Sequence, residues 1–346
     1  MTQKVIGGEY AINPELLKTD KSVYNHIPGH SYASGRTALE AIIYSIMHTR
    51  PDALSGGVLV PDYICDSVTK VIKDIGVGYQ FYHIADNMMP DQSLFSRLGS
   101  LRTVILINYF GLLDLQTVIE DIRCSYDDII IIEDDVQNFF SEYNRNVDFS
   151  FTSLRKWFAT PDGAFVKVNN KIYENALPSF ANSSSLFSQY KFAGNILKNF
   201  SDYVDDQISL SLLTTGEKEL DDNYRYDMSE ASQLIYSHIN LRVVANARKR
   251  NALFLHNKLL AKDIPHGYNA DHIQLFVPIF LEKSIRDFLR GKLFENNIFV
   301  PIHWPHVSTE LNGDNDLYDM ELSLICDQRY TIEDMSRVME IIYNEI

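Results

Sequence analysis

The feature that most constrains the fold of this chain is an apolar run, Ile129 to Ile132, that ends abruptly in the acids Glu133 to Asp135. Four consecutive β-branched residues bounded by polar ones predict a strand that is buried on both faces, as in a parallel sheet. Ligands of open α/β sheets collect beyond the carboxyl ends of the strands, which is where these acids fall. The pattern therefore predicts an α/β fold with a polar site at this edge of the sheet.

A lysine follows the next predicted strand. That strand lies near Asp148 to Thr152, and Ser153 and Lys156 come after it, before the turn Pro161 to Gly163. An acid at one strand end and a lysine just beyond the next can converge on one small ligand. Pyridoxal phosphate needs this pair, because an amine forms its Schiff base and a carboxylate such as Asp134 faces its pyridine nitrogen.

The order of these motifs carries a family resemblance. The run E-D-x-x-Q after an apolar strand, then S-x-x-K with a glycine turn behind it, resembles the fold-type I aminotransferases. Among these it is most similar to the DegT/StrS-type group, which aminates nucleotide-linked keto sugars and carries E-D-x-A-Q followed by S-F-H-x-x-K. By this resemblance Asp134 matches the pyridine-nitrogen acid, Gln137 the residue near the ring hydroxyl, and Lys156 the Schiff-base lysine. Ser153 stands where the common form has histidine.

Two elements in the first part of the chain extend the resemblance. The segment Ser34 to Glu40 opens a predicted helix, whose free amides suit a phosphate. It resembles the family's S-G-T-A-A-L phosphate turn, which implies that Gly35, Arg36 and Thr37 bind the cofactor. Tyr63 is the aromatic residue nearest the place where family members cover the cofactor ring, and packing in the protein interior is the alternative role for it.

Two further elements lie in the second half. The segment Asp222 to Glu230 resembles the family's N-Y-R-M-S-E element, whose asparagine reaches the cofactor phosphate of the neighbouring subunit. Asn223 keeps the N-Y-R order and Arg225 keeps the distance to M-S-E, so both are candidates. His303 and Trp304 match a segment that borders the substrate pocket. The resemblance thus implies a homodimer with shared cofactor sites.

The chain pattern also predicts the domain organisation. Strands alternate with helices between Val58 and Arg123, which argues for a parallel sheet covered by helices. The resemblance implies a fold-type I large domain with a mostly parallel seven-stranded sheet, followed by a small C-terminal α+β domain. We assign residues 1–230 to the large domain, including an irregular N-terminal arm, and 231–346 to the small one. A polar connection, Ala181 to Tyr226, precedes the boundary.

Charge and composition exclude several classes of partner. The formal net charge of −15 argues against nucleic acid. The cysteines Cys65, Cys124 and Cys326 are few and widely spaced, as in a reduced cytosolic protein. No apolar stretch approaches the ~20 residues that span a bilayer, and the start lacks the features of a signal peptide. We therefore expect a cytoplasmic protein without a membrane partner.

Three other interpretations of these residues are weaker. An apolar strand ending in acids also occurs as a magnesium-binding Walker-B segment, but the chain has no G-x-x-x-x-G-K-[ST] loop. The acids Glu133 to Asp135 could instead simply begin a helix. His303 and His306 invite a zinc site, but a proline lies between them and further ligands at suitable spacing are missing. We therefore expect no metal.

The resemblance implies an aminotransferase in which Lys156 and Asp134 are the catalytic residues. A lysine rather than a histidine at position 156 favours transamination over the dehydratase branch of the family. The expected partners are an amino-acid donor and a nucleotide-linked keto sugar used in polysaccharide or glycoside biosynthesis. A small keto acid or an amino-acid-derived aldehyde is the competing acceptor, and a non-catalytic pyridoxal-binding regulatory protein is the second hypothesis.

Overall fold

A seven-stranded sheet lies at the centre of the computed structural model, which describes residues 4–12, 25–140, 146–180, 185–200, 203 and 205–346. In chain order the strands are β1 Ile6–Gly7, β2 Ser31–Tyr32, β3 Val58–Pro61, β4 Tyr79–Tyr82, β5 Thr103–Ile107, β6 Ile130–Asp134, β7 Phe149–Phe151, β8 Ala164–Val168, β9 Phe276–Phe280, β10 Ile298–Phe299 and β11 Glu321–Ile325. The helices are α1 Gly35–Thr49, α2 Asp66–Asp74, α3 Gln92–Leu98, α4 Gln116–Ser125, α5 Leu186–Leu197, α6 Asp206–Asp222, α7 Glu230–Ser237, α8 Leu241–Leu260, α9 Lys283–Glu295, α10 Thr309–Asn312, α11 Leu317–Met320 and α12 Ile332–Glu345.

The central sheet is mostly parallel. Its strands follow the order β2-β8-β7-β6-β5-β3-β4. The pairs between β4, β3, β5, β6 and β7 are parallel, whereas β8 and β2 are added by antiparallel pairs. Both the parallel α/β pattern and the seven strands implied by the resemblance are thereby confirmed.

Strand β6 extends further than its apolar run predicts. Glu133 and Asp134 pair with Leu106 and Ile107 of β5, and Asp134 also pairs with Phe151 of β7. Because both neighbouring strands continue alongside, the backbone groups of the two acids stay hydrogen-bonded in the ladder. The acids therefore end the strand instead of following it, and all five residues of β6 are buried.

A second set of strands lies in the C-terminal part. β9 and β11 form an antiparallel pair, and β10 pairs in parallel with the N-terminal β1. A hydrophobic cluster joins these strands to α8, α9 and α12 and includes Ile6. The N-terminal strand thus packs on the C-terminal part of the chain, while the domain division at residue 230 stays a prediction.

Another hydrophobic cluster holds the segment around Lys156 in place. It joins side chains from β8 and the stretch before it to side chains from α7, α8 and the segments leading into α7 and β9: Leu154, Trp157, Phe158, Phe165, Met228, Tyr236, Val244 and Leu275. Trp157 is completely buried, and its indole Nε1 donates to the Val136 carbonyl at 2.9 Å. The lysine between these apolar residues therefore projects from a fixed backbone.

Two segments singled out in the sequence are only partly described. Residues 1–3 and 13–24 of the expected N-terminal arm lie outside the described residues, as do 181–184, 201, 202 and 204 of the polar connection Ala181 to Tyr226. The described part of that connection forms α5 and α6, which pack on each other. No described helix is both long enough and apolar enough to cross a membrane.

Candidate active site

A cavity of about 190 Å³ lies at the carboxyl ends of three central strands. The last residues of β5, β6 and β7, which are Ile107, Asp134 and Phe151, all line it. The predicted site residues that line it are Gly35, Arg36, Asp134, Gln137, Ser153, Lys156 and Trp304. The structure therefore brings most of the predicted set to one place, at the sheet edge where the strand pattern predicts a ligand.

The N-terminus of α1 forms one wall of this cavity. Ser34 caps the helix, and its Oγ accepts from the Thr37 amide at 3.2 Å. The Thr37 hydroxyl donates to the Tyr224 carbonyl at 2.5 Å, so this predicted site residue is buried and does not line the cavity. Gly35 and Arg36 do line it, and the first amides of a helix lack intrahelical acceptors. This wall is suited to an anion.

Asp134 presents a carboxylate with one oxygen left for a ligand. Its side chain is buried, and its Oδ1 accepts from the Val136 amide at 2.9 Å. Its second oxygen has no protein partner among the described residues. Burial raises the pKa of Asp134 to about 7, although the Val136 hydrogen bond and the charge of Lys156 lower it in part. A positive or hydrogen-donating ligand in the cavity would therefore stabilise the ionised form of Asp134.

The two acids beside Asp134 do not face the cavity. Side chains alternate along a strand, so Glu133 and Asp135 lie on the opposite side from Asp134. The Asp135 carboxylate accepts from the Asn138 side-chain amide at 3.4 Å, and burial raises the pKa of both acids. A turn, not a helix, follows the three acids, which removes the interpretation that they begin a helix.

Gln137 connects the cavity to the loop after β5. Its Oε1 accepts from the Phe110 amide at 2.8 Å. The neighbouring Gly111 has a φ of 71°, and a Cβ there would lie 3.0 Å from the Gln137 carbonyl oxygen. Because of this close approach, the two loops hold Gln137 at the cavity wall with its amide nitrogen free of partners in the described part of the chain.

Lys156 ends a single helical turn, Leu154–Lys156, that follows β7. The Leu154 amide donates to the Gly163 carbonyl at 2.8 Å, and the Tyr10 hydroxyl donates to the Lys156 carbonyl at 3.4 Å. Gly163 has a φ of 120°, and a Cβ there would lie 2.8 Å from Leu154 Cδ1. The predicted glycine turn therefore serves to fix the backbone that carries the lysine.

A charged network beside Lys156 is absent from the sequence-based predictions. Arg155 Nη1 contacts Glu217 Oε1 at 2.7 Å, and the buried Lys191 binds both Glu217 and Glu9. Burial raises the pKa of Glu217, but the positive charges of Arg155 and Lys191 lower it by more. The pKa of this carboxyl therefore lies far below its usual range. Only the spacing of acids on α6 signals this network in the sequence, since its partners are far apart along the chain.

A second ion pair links α6 to the cavity. Arg36 Nη1 contacts Asp221 Oδ1 at 2.6 Å. Asp221 lies one helical turn after Glu217, so the same face of α6 neutralises both Arg36 and Arg155. Lys156 is thus the one cation lining this cavity that has no carboxylate partner among the described residues.

Two predicted residues lie behind the cavity wall. Tyr63 is fully buried, its hydroxyl donates to the His303 carbonyl, and its ring packs on Tyr109 and Tyr318. Cys65, Ser67 and Val68, which follow Tyr63 in the chain, line the cavity in its place. His303 is also buried, with Nδ1 2.8 Å from Ser323 Oγ. Of this group only Trp304, which contacts the Tyr63 ring, reaches the cavity.

Asn223 and Arg225 do not line the cavity of their own chain. Arg225 Nε contacts the buried Glu40 at 2.7 Å, whereas the side-chain amide of the exposed Asn223 donates to the Tyr226 hydroxyl at 3.0 Å. The described residues contain no group of three histidine, cysteine or acidic side chains that could hold a metal ion.

The raised pKa of Asp134 predicts a pH-dependent stability. Its folded pKa of about 7 exceeds the ordinary 3.8, so the stability it contributes is fully present below pH 3.8 and lost as the pH rises through 7. Asp134→Asn cannot ionise and should, without ligand, be more stable than the wild type at pH 8 by roughly 4 kcal/mol, the free-energy equivalent of a pKa rise from 3.8 to about 7. Urea unfolding measures this difference, which should vanish near pH 4.

The exposed Asp127→Asn is the matched control for this experiment and should change the free energy of unfolding little at either pH. If Asp134→Asn and the wild type unfold at the same urea concentration at pH 8, burial of an ionised Asp134 carries no cost.

Comparison with known proteins identifies the fold. No protein-family model matches the sequence, and no curated protein matches it. Among solved structures, a DegT DnrJ EryC1 StrS aminotransferase from Brucella abortus aligns over 97% of this chain and 91% of its own, with 18% identity and a TM-score of 0.61.

Two further solved structures are similar along most of their length. GDP-4-keto-6-deoxymannose-3-dehydratase (ColD) with bound GDP-perosamine aligns over 90% of this chain and 87% of its own, with 17% identity and a TM-score of 0.66. DesI in the presence of its TDP-sugar product aligns over 95% and 83%, with 14% identity and a TM-score of 0.63. The chain therefore has the fold of the DegT/DnrJ/EryC1/StrS aminotransferases, as the motifs around Asp134 and Lys156 predict.

Proposed function

We propose that this protein is a pyridoxal-phosphate-dependent aminotransferase that moves an amino group from an amino-acid donor to a nucleotide-linked keto sugar. The observation that carries the proposal is the meeting of Lys156 and Asp134 in one cavity at the N-terminus of α1. An amine, a carboxylate with a free oxygen, and a wall suited to phosphate are the three groups that this cofactor requires.

The residues of the cavity fit the cofactor. Asp134 supplies a buried carboxylate oxygen for the pyridine nitrogen, and the α1 amides at Gly35 and Arg36 supply donors for the phosphate. Gln137 and Ser153 supply further polar groups at the wall. Bound pyridoxal phosphate supplies an aromatic ring that withdraws electrons from the bond to be broken in the donor.

Each catalytic residue has a chemical role that follows from its surroundings. Lys156 is free of carboxylate partners in the described chain, so its Nζ is available to hold the cofactor and then to carry the proton of the donor's α-carbon. The negative charge of the Asp134 carboxylate would favour the protonated, positively charged form of the cofactor's pyridine nitrogen. A cation at that position lowers the pKa of Asp134 and removes the cost of burying it.

A nucleotide-linked sugar as acceptor is supported by the similar structures. ColD holds GDP-perosamine and DesI was solved with its TDP-sugar product. On this chain, Trp304 supplies an aromatic face at the cavity wall and Arg36 supplies a guanidinium. The cytoplasm is the proposed location, where such activated sugars and free amino acids are both at hand.

We expect the purified protein to bind pyridoxal phosphate and borohydride reduction to fix it on Lys156. Peptide mapping locates the label, and Lys156→Ala should bind the cofactor without becoming labelled. The exposed Lys171→Ala is the matched control and should be labelled like the wild type. A label on another lysine, or none in the wild type, overturns the proposed site.

The acceptor is tested with protein whose cofactor has first been aminated by L-glutamate. Nucleotide-linked 4-keto or 3-keto sugars should restore the original absorbance of the bound cofactor, and free nucleoside diphosphates should compete. Small keto acids are the comparison. The sugar proposal fails if keto acids alone restore the absorbance and nucleotides neither bind nor compete.

We propose further that the protein is a homodimer in which Asn223 reaches the cofactor site of the neighbouring subunit. Both residues are exposed, but the Arg225 guanidinium is held in an ion pair with the buried Glu40 of its own chain, whereas the Asn223 side chain has no charged partner among the described residues. A cyclic dimer is also the commonest assembly of soluble proteins.

Mixing two inactive variants tests this arrangement. Asn223→Asp should abolish activity by placing a carboxylate beside the cofactor phosphate, and Lys156→Ala should abolish it by removing the amine. Equal amounts exchanged together should recover up to about a quarter of the wild-type activity, because half of the dimers are mixed and each has one intact site. No recovery from subunits shown to exchange by sedimentation and labelling excludes shared sites.

A further inference from the structure

The residue directly before the lysine, Arg155, belongs to a network of four charged side chains. Arg155 Nη1 contacts Glu217 Oε1 at 2.7 Å, and Lys191 contacts the same carboxylate. Lys191 Nζ also contacts Glu9 Oε1 of the N-terminal segment at 2.9 Å. Two acids and two cations therefore meet beside Lys156, and their formal charges sum to zero.

The ion pairs keep the members of this network charged. The Lys191 side chain is only 2% exposed, so its ammonium group needs the two carboxylates that it contacts. Burial raises the pKa of Glu9, but the charge and hydrogen bond of Lys191 and the charge of Arg155 together lower it by more. Burial lowers the pKa of Arg155, but the charges of Glu217 and Glu9 raise it by more. Removal of one member thus leaves a net charge on the other three.

Arg155 and Glu217 bring the network to the cavity that Lys156 lines. Two charges in the wall of one small cavity interact, because salt screens them only beyond about 10 Å at an ionic strength of 0.1 M. A guanidinium without its acid would therefore disfavour a proton on the neighbouring lysine amine. The ion pair between Arg155 and Glu217 cancels this repulsion.

The other charged and titratable groups around Lys156 lie outside the network. They line the same cavity or a second one, of about 390 Å³, that also borders the lysine. These groups are Cys65, Asp134, Tyr10, Arg290 and the ion pairs Arg36–Asp221 and Arg329–Asp327. Asp162 acts on Arg155, and Lys198 acts on Glu9 and Lys191. All of them stay in place when Glu217 or Arg155 is replaced, so they are common to every variant compared below.

We propose that Glu217 is a positioning residue, which cancels the charge of Arg155 and thereby sets the pH range in which the amine of Lys156 exchanges its proton. The inference rests on the proposed aminotransferase function, in which this amine holds a proton at one stage and gives it up at another. Lys191 and Glu9 complete the arrangement, because they hold the Glu217 carboxylate between two cations and keep the whole network neutral.

Substitutions in the Arg155–Glu217 pair should move the titration of the lysine in opposite directions. In the cofactor-loaded protein, the pH midpoint of the change in cofactor absorbance reports how readily the Lys156 nitrogen loses its proton. Glu217→Gln leaves Arg155 without its acid, so the midpoint should fall by about one pH unit. Arg155→Gln leaves one acid in excess, so the midpoint should rise by a similar amount. The double variant should return to the wild-type value, because Glu9 and Lys191 still balance each other.

A purely structural role would not give this pattern, since damage to the packing has no reason to reverse its sign between the two partners or to vanish in the double variant. Glu217→Asp keeps the charge and should keep a midpoint close to that of the wild type. Glu219→Gln is the matched control, because Glu219 lies on the same helix and does not line the cavity. If Arg155→Gln does not fold, Lys191→Gln leaves the same excess of one acid and should also raise the midpoint.

A measurement on the cofactor-free protein does not depend on the proposed function. Only the unprotonated amine reacts with fluorodinitrobenzene, and peptide mapping separates the product at Lys156 from those at other lysines. The pH at which the rate is half its maximum should be lowest in Glu217→Gln and highest in Arg155→Gln. The wild type and the double variant should lie together between them.

The inference is overturned if both single variants shift the midpoint in the same direction, if neither shifts it, or if the double variant does not return to the wild-type value. The proposed function fails separately, when borohydride does not label Lys156 or no amino acid changes the absorbance of the wild type. In that case the order of the variants in the cofactor-free measurement still decides whether Glu217 acts on the lysine.

Discussion

The buried carboxylate of Asp134 is the constraint on which the rest of the site depends. Transfer of an ionised group into a protein interior is costly unless a partner of opposite charge is present. Asp134 receives one backbone hydrogen bond, and the charge of Lys156 offsets its burial only in part. The polypeptide therefore leaves a deficit of positive charge at the end of β6, and a protonated pyridine nitrogen has the charge and the hydrogen-bond donor to fill it.

The surrounding charges keep Lys156 available for the same ligand. Two other cations line the cavity at the ends of β5, β6 and β7, Arg36 and Arg155, and both are neutralised by acids of α6. An amine in an ion pair is held by its carboxylate and is a poor nucleophile. The acids of α6 bind Arg36 and Arg155 and leave Lys156 unpaired. The two arginines therefore form part of the cavity wall, whereas Lys156 is the cation proposed to react.

The backbone of Lys156 connects the site to both parts of the chain. The hydrophobic cluster around Trp157 packs it against α7 and α8, and Tyr10 from the N-terminal segment donates to its carbonyl oxygen. The N-terminal segment in turn pairs with β10. The lysine therefore lies where the central sheet, the N-terminal segment and the C-terminal strands meet, and two cavities open beside it.

The sequence by itself determined the parallel sheet, the strand that ends in acids and the lysine after the next strand, because these follow from local periodicity and short spacings. Only the tertiary structure decided which acid faces the cavity, since register and alternation along β6 turn Asp134 inward and Glu133 away. The tertiary structure also decided that Tyr63 lies behind the cavity wall, because the rings of Tyr109 and Tyr318 pack on it and bury it. The pairing of Arg155 with Glu217 and of Arg36 with Asp221 was equally beyond the sequence, because contacts between distant segments depend on how helices pack and have no local pattern.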